Sequence, residues 1–387
     1  MSPATILRVL YFLFFCCTAA FIPRMADFCL NRGLTHGQIS LVLSITPVMM
    51  FAVQPFYGMM ADKLGYKKTV LISSLIASVS YLGYLASNSF LTIVATTVIM
   101  SAFYNTLQPV LDSIALRLSE RDPNFSYGSL RVFGAVGWMI ANAISGHFID
   151  ATDIRAIFIV SFLSMFLVFV FSIFLSNESA ETQQPGFSQA FSVLKNRQLM
   201  VLLLCVFIVS FGATTIWNYY STFMKEKGAS DTLVGYALSF HGFCELPFFY
   251  FSARIIFKLG LKTTFVITAF ATSLRMFLYS ITSEPLHVIP IELLQGLSWS
   301  LFWAVSVEFV NRVVDGKWLA TGQSLLYAVY FGIGQIAGNY WTGYFHSRGM
   351  TIARVFLMNA ALTFVAVIIA WIFLTKEKVT DSGTTQA

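Results

Sequence analysis

The amino-acid sequence predicts an all-α membrane protein in which twelve transmembrane helices form two pseudo-symmetric six-helix bundles. Of its 387 residues, 57% are hydrophobic and only 11% are charged, which is typical of polytopic membrane proteins and not of soluble domains. Apolar runs long enough to cross a bilayer recur along the whole chain. The later runs also repeat features of the earlier ones at a constant spacing.

A transmembrane helix needs about 20 residues to cross the hydrocarbon core. The expected spans lie near residues 6–29, 37–60, 68–87, 90–116, 128–149, 154–175, 198–224, 232–256, 263–282, 286–311, 319–345 and 351–374. The first run follows Arg8 but lacks a convincing cleavage site, so we expect it to remain as a helix and not to be removed as a signal peptide.

Loop charge predicts the orientation of these spans. With both termini in the cytoplasm, the inner loops carry about twice as many Lys and Arg residues as the outer loops, in agreement with the positive-inside rule. The net charge of +6 is therefore attributed to topology, and no nucleic-acid partner is expected. The expected location is the plasma (inner) membrane.

A short basic loop between the second and third runs carries a compact motif, G-x-x-x-D-K-x-G-x-K-K. An aspartate here can pair with a cation or cap the next helix, a glycine can make the turn, and the lysines favour the cytoplasmic side. The alternative is an ordinary positive-inside loop. The pattern resembles the signature loop of the major facilitator superfamily. That resemblance implies the gating-loop residues Gly58, Asp62, Lys63, Gly65, Lys67 and Lys68.

Two glycine-centred loops recur in both halves of the chain. Gly33 and Gly228 are 195 residues apart, and so are Gly65 and Gly260. Paired six-helix halves are typical of transporters that rock about a central site. The expected divisions are an amino-terminal bundle of residues 1–176, a cytoplasmic linker of 177–197, a carboxy-terminal bundle of 198–375 and a cytoplasmic tail of 376–387.

Charged side chains within the expected spans mark candidate functional positions. An unpaired charge in lipid is costly, so such residues are expected to line a polar cavity or to pair with one another. They are Asp112, Arg131, Glu245, Arg275 and Glu308. Purely structural pairing is the alternative, and Glu308 has Arg312 one helical turn away.

Arg131 and Trp138 share one face of the fifth span, because they are seven residues apart. A guanidinium that donates to hydroxyls and an indole that stacks on a ring suit a polyhydroxylated solute, although Trp138 also fits a packing role. The run Tyr-Gly-x-x-Arg-x-Phe-Gly-x-x-Gly-Trp resembles helix five of the lactose permease and its phenylpropionate-type and nucleoside-permease relatives. The resemblance implies that Asp112, Arg131 and Trp138 bind substrate, with Asp112 in place of the family's glutamate.

The same resemblance assigns proton coupling to the second half. Arg275 matches the coupling arginine of helix nine, whereas Gln295 and Ser298 replace the histidine and glutamate of helix ten. Glu245 lies about one turn from the expected carboxylate of helix eight, and His241 precedes it by four residues on the same face. The expected proton-coupling residues are Glu245, Arg275, His241 and Glu308.

Two further groups of residues have alternative interpretations. Arg24 and Asp27 are three residues apart and are expected to pair with each other, or else to line an outer vestibule. Trp217, Trp299 and Trp303 either line the central cavity or belong to interfacial aromatic belts.

The expected function is secondary active transport of a small organic solute, most consistent with a sugar or oligosaccharide, by a monomeric proton symporter that works by alternating access in the lipid bilayer. The alternatives are a nucleoside or aromatic-acid permease, a drug or metabolite exporter, and a sensor without transport. Exporters of the superfamily that this chain resembles usually carry a Gly-Pro pair in a glycine-rich helix five. The fifth span here is glycine-rich but has no proline, which disfavours an exporter. Neither an enzyme nor a cofactor is expected, since no nucleophile–base cluster appears. The five cysteines lack metal-ligand spacing, so no metal site is expected.

Overall fold

The described part of the chain is built of helices. The computed structural model describes residues 2–122, 125, 127–176, 195–314 and 318–375, except for the side chains of residues 51, 53–63, 120, 127 and 320. Most of the expected linker and the expected tail lie outside these residues, so the expected division of the chain stays a prediction.

Helices of the first half follow the expected spans. They are α1 (Pro3–Phe21), α2 (Met25–Asn31), α3 (His36–Leu64), α4 (Tyr66–Ala86), α5 (Phe90–Arg121), α6 (Tyr127–Ala151) and α7 (Ala156–Ser172). A short 3-10 turn, Ile22–Arg24, joins α1 to α2, so that both belong to the first span.

The second half contains both regular and broken helices. They are α8 (Arg197–Glu226), α9 (Asp231–Leu259), α10 (Leu261–Ile281), α11 (Val288–Ile291), α12 (Phe302–Val313), α13 (Leu319–Tyr327), α14 (Gln335–Ser347) and α15 (Ile352–Phe373). Two π-helical segments, Gly296–Leu301 and Ala328–Gly334, interrupt the expected spans at 286–311 and 319–345.

Length and hydropathy identify most of these helices as membrane spans. Seven helices within the described residues are long and apolar enough to cross a membrane, and the bent pair Pro285–Leu294 and Gly296–Val313 makes an eighth. Helix α7 is a shorter apolar helix. The runs at 37–60, 232–256 and 319–345 are also helical, but they are not among the helices that meet the length and hydropathy criteria for a membrane span. In the last of them, the helix is divided by the π-helical segment.

The internal repeat is visible in the backbone. Gly33 and Gly228 have φ of 74° and 84°, and Gly65 and Gly260 have φ of 82° and 79°. This left-handed region is open mainly to glycine. Gly65 directly precedes α4 and Gly260 directly precedes α10, so glycines 195 residues apart have the same backbone geometry at both loops.

Helices of the two halves meet along two seams, α6 against α9 and α3 against α14. Each seam has a glycine at its point of closest approach. A Cβ atom on Gly146 of α6 would collide with the backbone of Asp231, and one on Gly343 of α14 would collide with Ser40 of α3. Each seam therefore depends on a glycine, one in each half of the chain.

Polar contacts also join the two halves at one end of the helices. We call this end, which carries the loops at 32–35, 152–155 and 227–230, the distal face. Asp150 of α6 accepts hydrogen bonds from the backbone N–H groups of Asp231 (3.1 Å) and Thr232 (2.8 Å) at the start of α9. Asp27 of α2 pairs with Lys225 of α8 at 3.2 Å.

Arg24 and Asp27 bind to other helices instead of to each other. Arg24 is fully buried and donates to the side chain of Asn142 in α6 at 3.0 Å. Asp27 accepts hydrogen bonds from Ser221 (2.5 Å) and Thr222 (2.6 Å) of α8. Within the described residues, these contacts replace the expected Arg24–Asp27 pair, because Arg24 is directed towards α6 and Asp27 towards α8.

The buried core is continuous across the distal face. One cluster joins residues of α1, α4, α5 and α7 to the distal parts of α8, α9 and α10, including Tyr220, Phe223 and Tyr279. The opposite end of the second half has a separate core, built around Leu199 and Phe302. The two halves therefore share a hydrophobic core at the distal end of the bundle.

Candidate functional site

Three helices of the first half bring Asp112 and Arg131 to one tyrosine. The hydroxyl of Tyr11 in α1 donates to Oδ1 of Asp112 in α5 at 2.6 Å. The guanidinium of Arg131 in α6 lies 5.7 Å from the centre of the Tyr11 ring and 4.0 Å from that of Phe15. These distances allow cation–π attraction. Asp112 and Arg131, the two charged residues predicted from the sequence to bind substrate, therefore both contact Tyr11 of α1.

Trp138 lies farther along the same helix and faces the second half. Its ring centre is 6.4 Å from that of Trp217 in α8, with the rings nearly perpendicular. Its indole Nε1 is buried and has no hydrogen-bond partner among the described residues. Trp138 thus combines a packing role against α1 and α6 with an unused donor at the junction of the two halves.

The second half contains a buried ion pair that the sequence analysis missed. Nη2 of Arg275 lies 2.5 Å from Oε2 of Glu292. Glu292 is completely buried, and it also accepts hydrogen bonds from the hydroxyls of Tyr220 (2.7 Å) and Tyr279 (2.6 Å). A buried charge is tolerated when it is paired and hydrogen-bonded in this way. Its signal in the sequence was a carboxylate inside an expected span, one helical turn before Gln295.

Glu245 is connected to Arg275 through Gln295. The side-chain amide of Gln295 donates to Oε1 of Glu245 at 2.7 Å, and its carbonyl oxygen accepts a short hydrogen bond from Arg275. Arg275 therefore reaches Glu245 through Gln295. Arg275 pairs directly with Glu292, which lies in the same buried layer, and Glu245 keeps 15% of its side chain exposed.

His241 lies between the two carboxylates. Its Nδ1 is 3.2 Å from Nη2 of Arg275 and 3.3 Å from Oε2 of Glu292. Its Nε2 is 3.8 Å from Oε1 of Glu245 and makes no hydrogen bond within the described residues. An imidazole placed between two carboxylates can pass a proton from one to the other.

Glu308 lies apart from this cluster. It pairs with Arg312 at 3.0 Å within α12, and both side chains are about one-third exposed. This is the structural pairing that the sequence offers as the alternative for Glu308.

The signature loop is described only in part. Gly65 makes the turn into α4 with its positive φ. The ring of Tyr66 next to it packs under the guanidinium of Arg117 in α5 at 5.0 Å. Lys68 is exposed and Lys67 is partly buried. The side chains of Asp62 and Lys63, and the surroundings of Gly58, lie outside the described part of the structure.

Electrostatics connect the two halves of the site. Glu245 interacts with Arg131 of the first half as well as with Arg275 of the second. Tyr327 of α13 interacts with both Asp112 and Arg131. Asp112, Arg131, Glu245 and Tyr327 therefore surround one central region between the halves. Among the described residues, no group of His, Cys, Asp and Glu side chains has the arrangement of a metal site.

Comparisons with known proteins match this architecture. A model of the MFS_1 like family matches residues 4–373. The maltose permease of Geobacillus stearothermophilus is 25% identical over 389 residues, which cover 97% of this chain and 95% of that protein. The probable 3-phenylpropionic acid transporter of Escherichia coli is 21% identical over 78% of this chain and 80% of that protein. The crystal structure of the nucleoside transporter NupG has a TM-score of 0.84 at 17% identity, and covers 97% of this chain and 100% of that one.

The structural likeness establishes the fold, which is the all-α membrane fold of the major facilitator superfamily predicted from the signature loop. The family match covers nearly the whole chain. The chain therefore belongs to the MFS_1-like family of major facilitator superfamily transporters.

Proposed function

We propose that this protein is a proton symporter that imports a sugar or oligosaccharide by alternating access. The observation that carries this proposal is the hydrogen-bonded path Glu245–Gln295–Arg275–Glu292, with His241 beside it. A relative named for maltose transport, similar along nearly the whole chain, supports the choice of solute.

The first half supplies the groups for a hydroxylated ring. Asp112 accepts and Arg131 donates hydrogen bonds, and both lie beside Tyr11. The aromatic surface of Trp138 and its free indole N–H suit a ring with an apolar face and a polar edge. In this proposal Asp112, Arg131 and Trp138 form the substrate site.

The second half supplies the proton site. Glu292 has its oxygens occupied by Arg275 and two tyrosines, whereas Glu245 is partly exposed and has an imidazole nearby. Glu245 is therefore the carboxylate that exchanges its proton with water, and Arg275 acts on it through Gln295. Binding of the proton and the change of conformation are linked equilibria, so each alters the other.

The experiment is sugar uptake by proteoliposomes with and without an imposed pH gradient. We expect Glu245→Gln to abolish accumulation against the sugar gradient and to retain exchange of sugar across the membrane, because the neutral side chain still accepts the hydrogen bond from Gln295. Asp153→Asn is the matched control, since Asp153 lies in a loop and pairs with Arg155.

Uphill uptake by a folded Glu245→Gln protein would contradict the assignment of Glu245. The same measurement on Glu308→Gln tests the remaining carboxylate candidate, which we expect to retain accumulation because Glu308 is already paired with Arg312.

The topology in this proposal places both termini in the cytoplasm and the distal face outside, in the plasma (inner) membrane, with the monomer as the transporting unit. The bias of Lys and Arg towards one set of loops supports it. A reporter that is active only in the cytoplasm should be active when fused after Ala387. Activity of that reporter near Asn88 instead would contradict the topology.

A second candidate solute is an aromatic acid. Arg131 can pair with a carboxylate, Trp138 can stack on an aromatic ring, and one relative is named for 3-phenylpropionic acid. Counterflow with labelled maltose, uridine and 3-phenylpropionate discriminates between the candidate solutes, because exchange proceeds only for a solute that the protein carries.

A further inference from the structure

The second half presents a continuous row of aromatic rings to the centre of the molecule. Ring centres are separated by 5.1 Å between Trp217 and Trp299, 5.7 Å between Trp299 and Trp303, and 4.9 Å between Trp303 and Tyr327. We call these four residues the aromatic wall. All four are partly exposed and not fully buried.

Both ends of the aromatic wall reach groups of the first half. Trp217 lies 6.4 Å from Trp138, ring centre to ring centre. At the other end, Tyr327 interacts electrostatically with Asp112 and Arg131. The wall therefore faces the central region across from the proposed sugar-binding residues.

Two departures from α-helical geometry position the wall. Trp299 lies in the π-helical segment Gly296–Leu301, and Tyr327 immediately precedes the π-helical segment Ala328–Gly334. Such segments cost regular hydrogen bonding and occur frequently at functional sites. Trp299 also lies 5.3 Å from Tyr330 of the second segment, so both irregular segments meet at the wall.

Aromatic contacts could serve packing alone, but the surrounding polar groups indicate a site. Trp217, Trp299 and Tyr330 line a small cavity together with Arg275 and Gln295, which belong to the hydrogen-bonded path from Glu245 to Glu292. Its volume of about 10 Å³ is room for about one water molecule. The aromatic wall is thus adjacent both to the proposed proton site and to the central region.

We infer that the aromatic wall is a stacking subsite for the second ring of a two-ring glycoside. The hydroxylated ring lies at Asp112 and Arg131, and the other ring, a second sugar or a nucleobase, places its apolar face on Trp303 and Tyr327. Aromatic rings bind the C–H face of a sugar or the plane of a base with similar tolerance. This inference rests on the proposed substrate site at Asp112, Arg131 and Trp138, and it names the class of solute.

The test uses calorimetric binding to purified protein of two matched pairs: maltose with glucose, and uridine with ribose. The two members of each pair differ by the presence of the second ring. We expect the two-ring solute of at least one pair to bind about tenfold more tightly than its one-ring partner. Trp303→Leu should remove most of this difference, about five- to tenfold in affinity, and leave the one-ring solute nearly unchanged.

Two variants serve as controls. Trp303→Phe keeps a stacking ring and should retain part of the difference. Trp371→Leu removes a tryptophan that is 61% exposed on α15, outside the wall, and should change nothing. Thermal unfolding confirms that each variant is folded. Should Trp303→Leu unfold, Tyr327→Leu takes its place, since Tyr327 lies at the end of the row.

The outcomes separate the two proposals. Equal losses for two-ring and one-ring solutes, or no loss, would overturn the stacking subsite and leave sugar transport intact. Binding of uridine without binding of maltose or glucose would overturn sugar transport, while the uridine–ribose pair would still decide the subsite. Absence of binding for all four solutes would overturn both.

Discussion

At the scale of single residues, Arg275 and Glu292 form a buried ion pair between two segments of the second half. Asp112, Arg131, Glu245 and Arg275 were recognisable in the sequence because a charge inside an apolar span is costly. The direct partner of Arg275 was not identified, although Glu292 also lies inside an expected span. Spacing along one helix predicts neighbours on that helix only, and the contact between Arg275 and Glu292 joins two different segments.

Glu292 is expected to matter more for stability than Glu245. Glu292→Gln leaves the guanidinium of Arg275 buried without its ionic partner, and breaking a buried pair in this way costs about 3–5 kcal/mol. Glu245→Gln should cost much less, since Glu245 is partly exposed and Gln retains an acceptor for Gln295. Unfolding of both purified variants in detergent, followed by circular dichroism, measures the difference.

The double variant Arg275→Gln with Glu292→Gln is the control for this prediction. Removing both charges should restore part of the stability lost in Glu292→Gln, because no uncompensated charge remains. Equal stability of Glu292→Gln and Glu245→Gln would show that the buried pair contributes little to folding.

Substitutions of Arg131 test the proposed substrate site. Charged hydrogen bonds contribute about 1.5–3 kcal/mol each, so Arg131→Ala should weaken solute binding by about ten- to a hundredfold. Arg131→Lys should be nearly as damaging, because an ammonium group does not reproduce the planar guanidinium. Arg155→Lys is the control in a loop. If folded Arg131→Ala protein bound the solute with unchanged affinity, Arg131 would not be a substrate-binding residue and would have only a structural role.

At the scale of helices, the apolar runs predicted where helices occur but not how they are interrupted. Every expected span is helical within the described residues. The π-helical segments at Gly296–Leu301 and Ala328–Gly334 were not predicted. Hydrophobic periodicity does not distinguish one extra residue in a helical turn from a regular turn. Contacts between helices, such as the close approach of Gly296 to α9, are not encoded in that periodicity either.

At the scale of the whole molecule, the repeat predicted the pairing of halves, whereas the contacts between halves came only from the structure. The signature loop has the same glycine geometry as its counterpart 195 residues later. No pattern in the sequence indicates that Asp150 lies at the start of α9, since the two segments are far apart in the chain. Such contacts depend on the conformation of the transporter as well as on its fold.

Asp150 is expected to hold the distal face closed. Loss of a side-chain cap at the start of a helix costs about 1 kcal/mol, so Asp150→Ala should shift the equilibrium towards opening of the distal face by about fivefold. The measurement is the rate at which a water-soluble maleimide labels Ser40→Cys, a buried position on the seam between α3 and α14. The five native cysteines are buried and should react slowly.

Asp153→Ala is the matched control for this experiment. Asp153 is also a carboxylate near the distal face, but its described contacts are to Arg155 in the same loop. Labelling at the same rate in the Asp150→Ala and Asp153→Ala backgrounds would contradict a closing role for Asp150.

In the proposed alternating-access cycle, the cap that Asp150 places on α9 also allows a tight closure of the distal face to open each time. Ser230 already accepts a hydrogen bond from Leu233 in the first turn of α9, so the helix keeps its own cap when Asp150 withdraws. The released N–H groups of Asp231 and Thr232 then face water at the membrane surface. Exchange of a protein hydrogen bond for one to water costs only about 0.5–1.5 kcal/mol. A closure built from hydrated groups at a helix end can therefore be specific in geometry and still rapidly reversible.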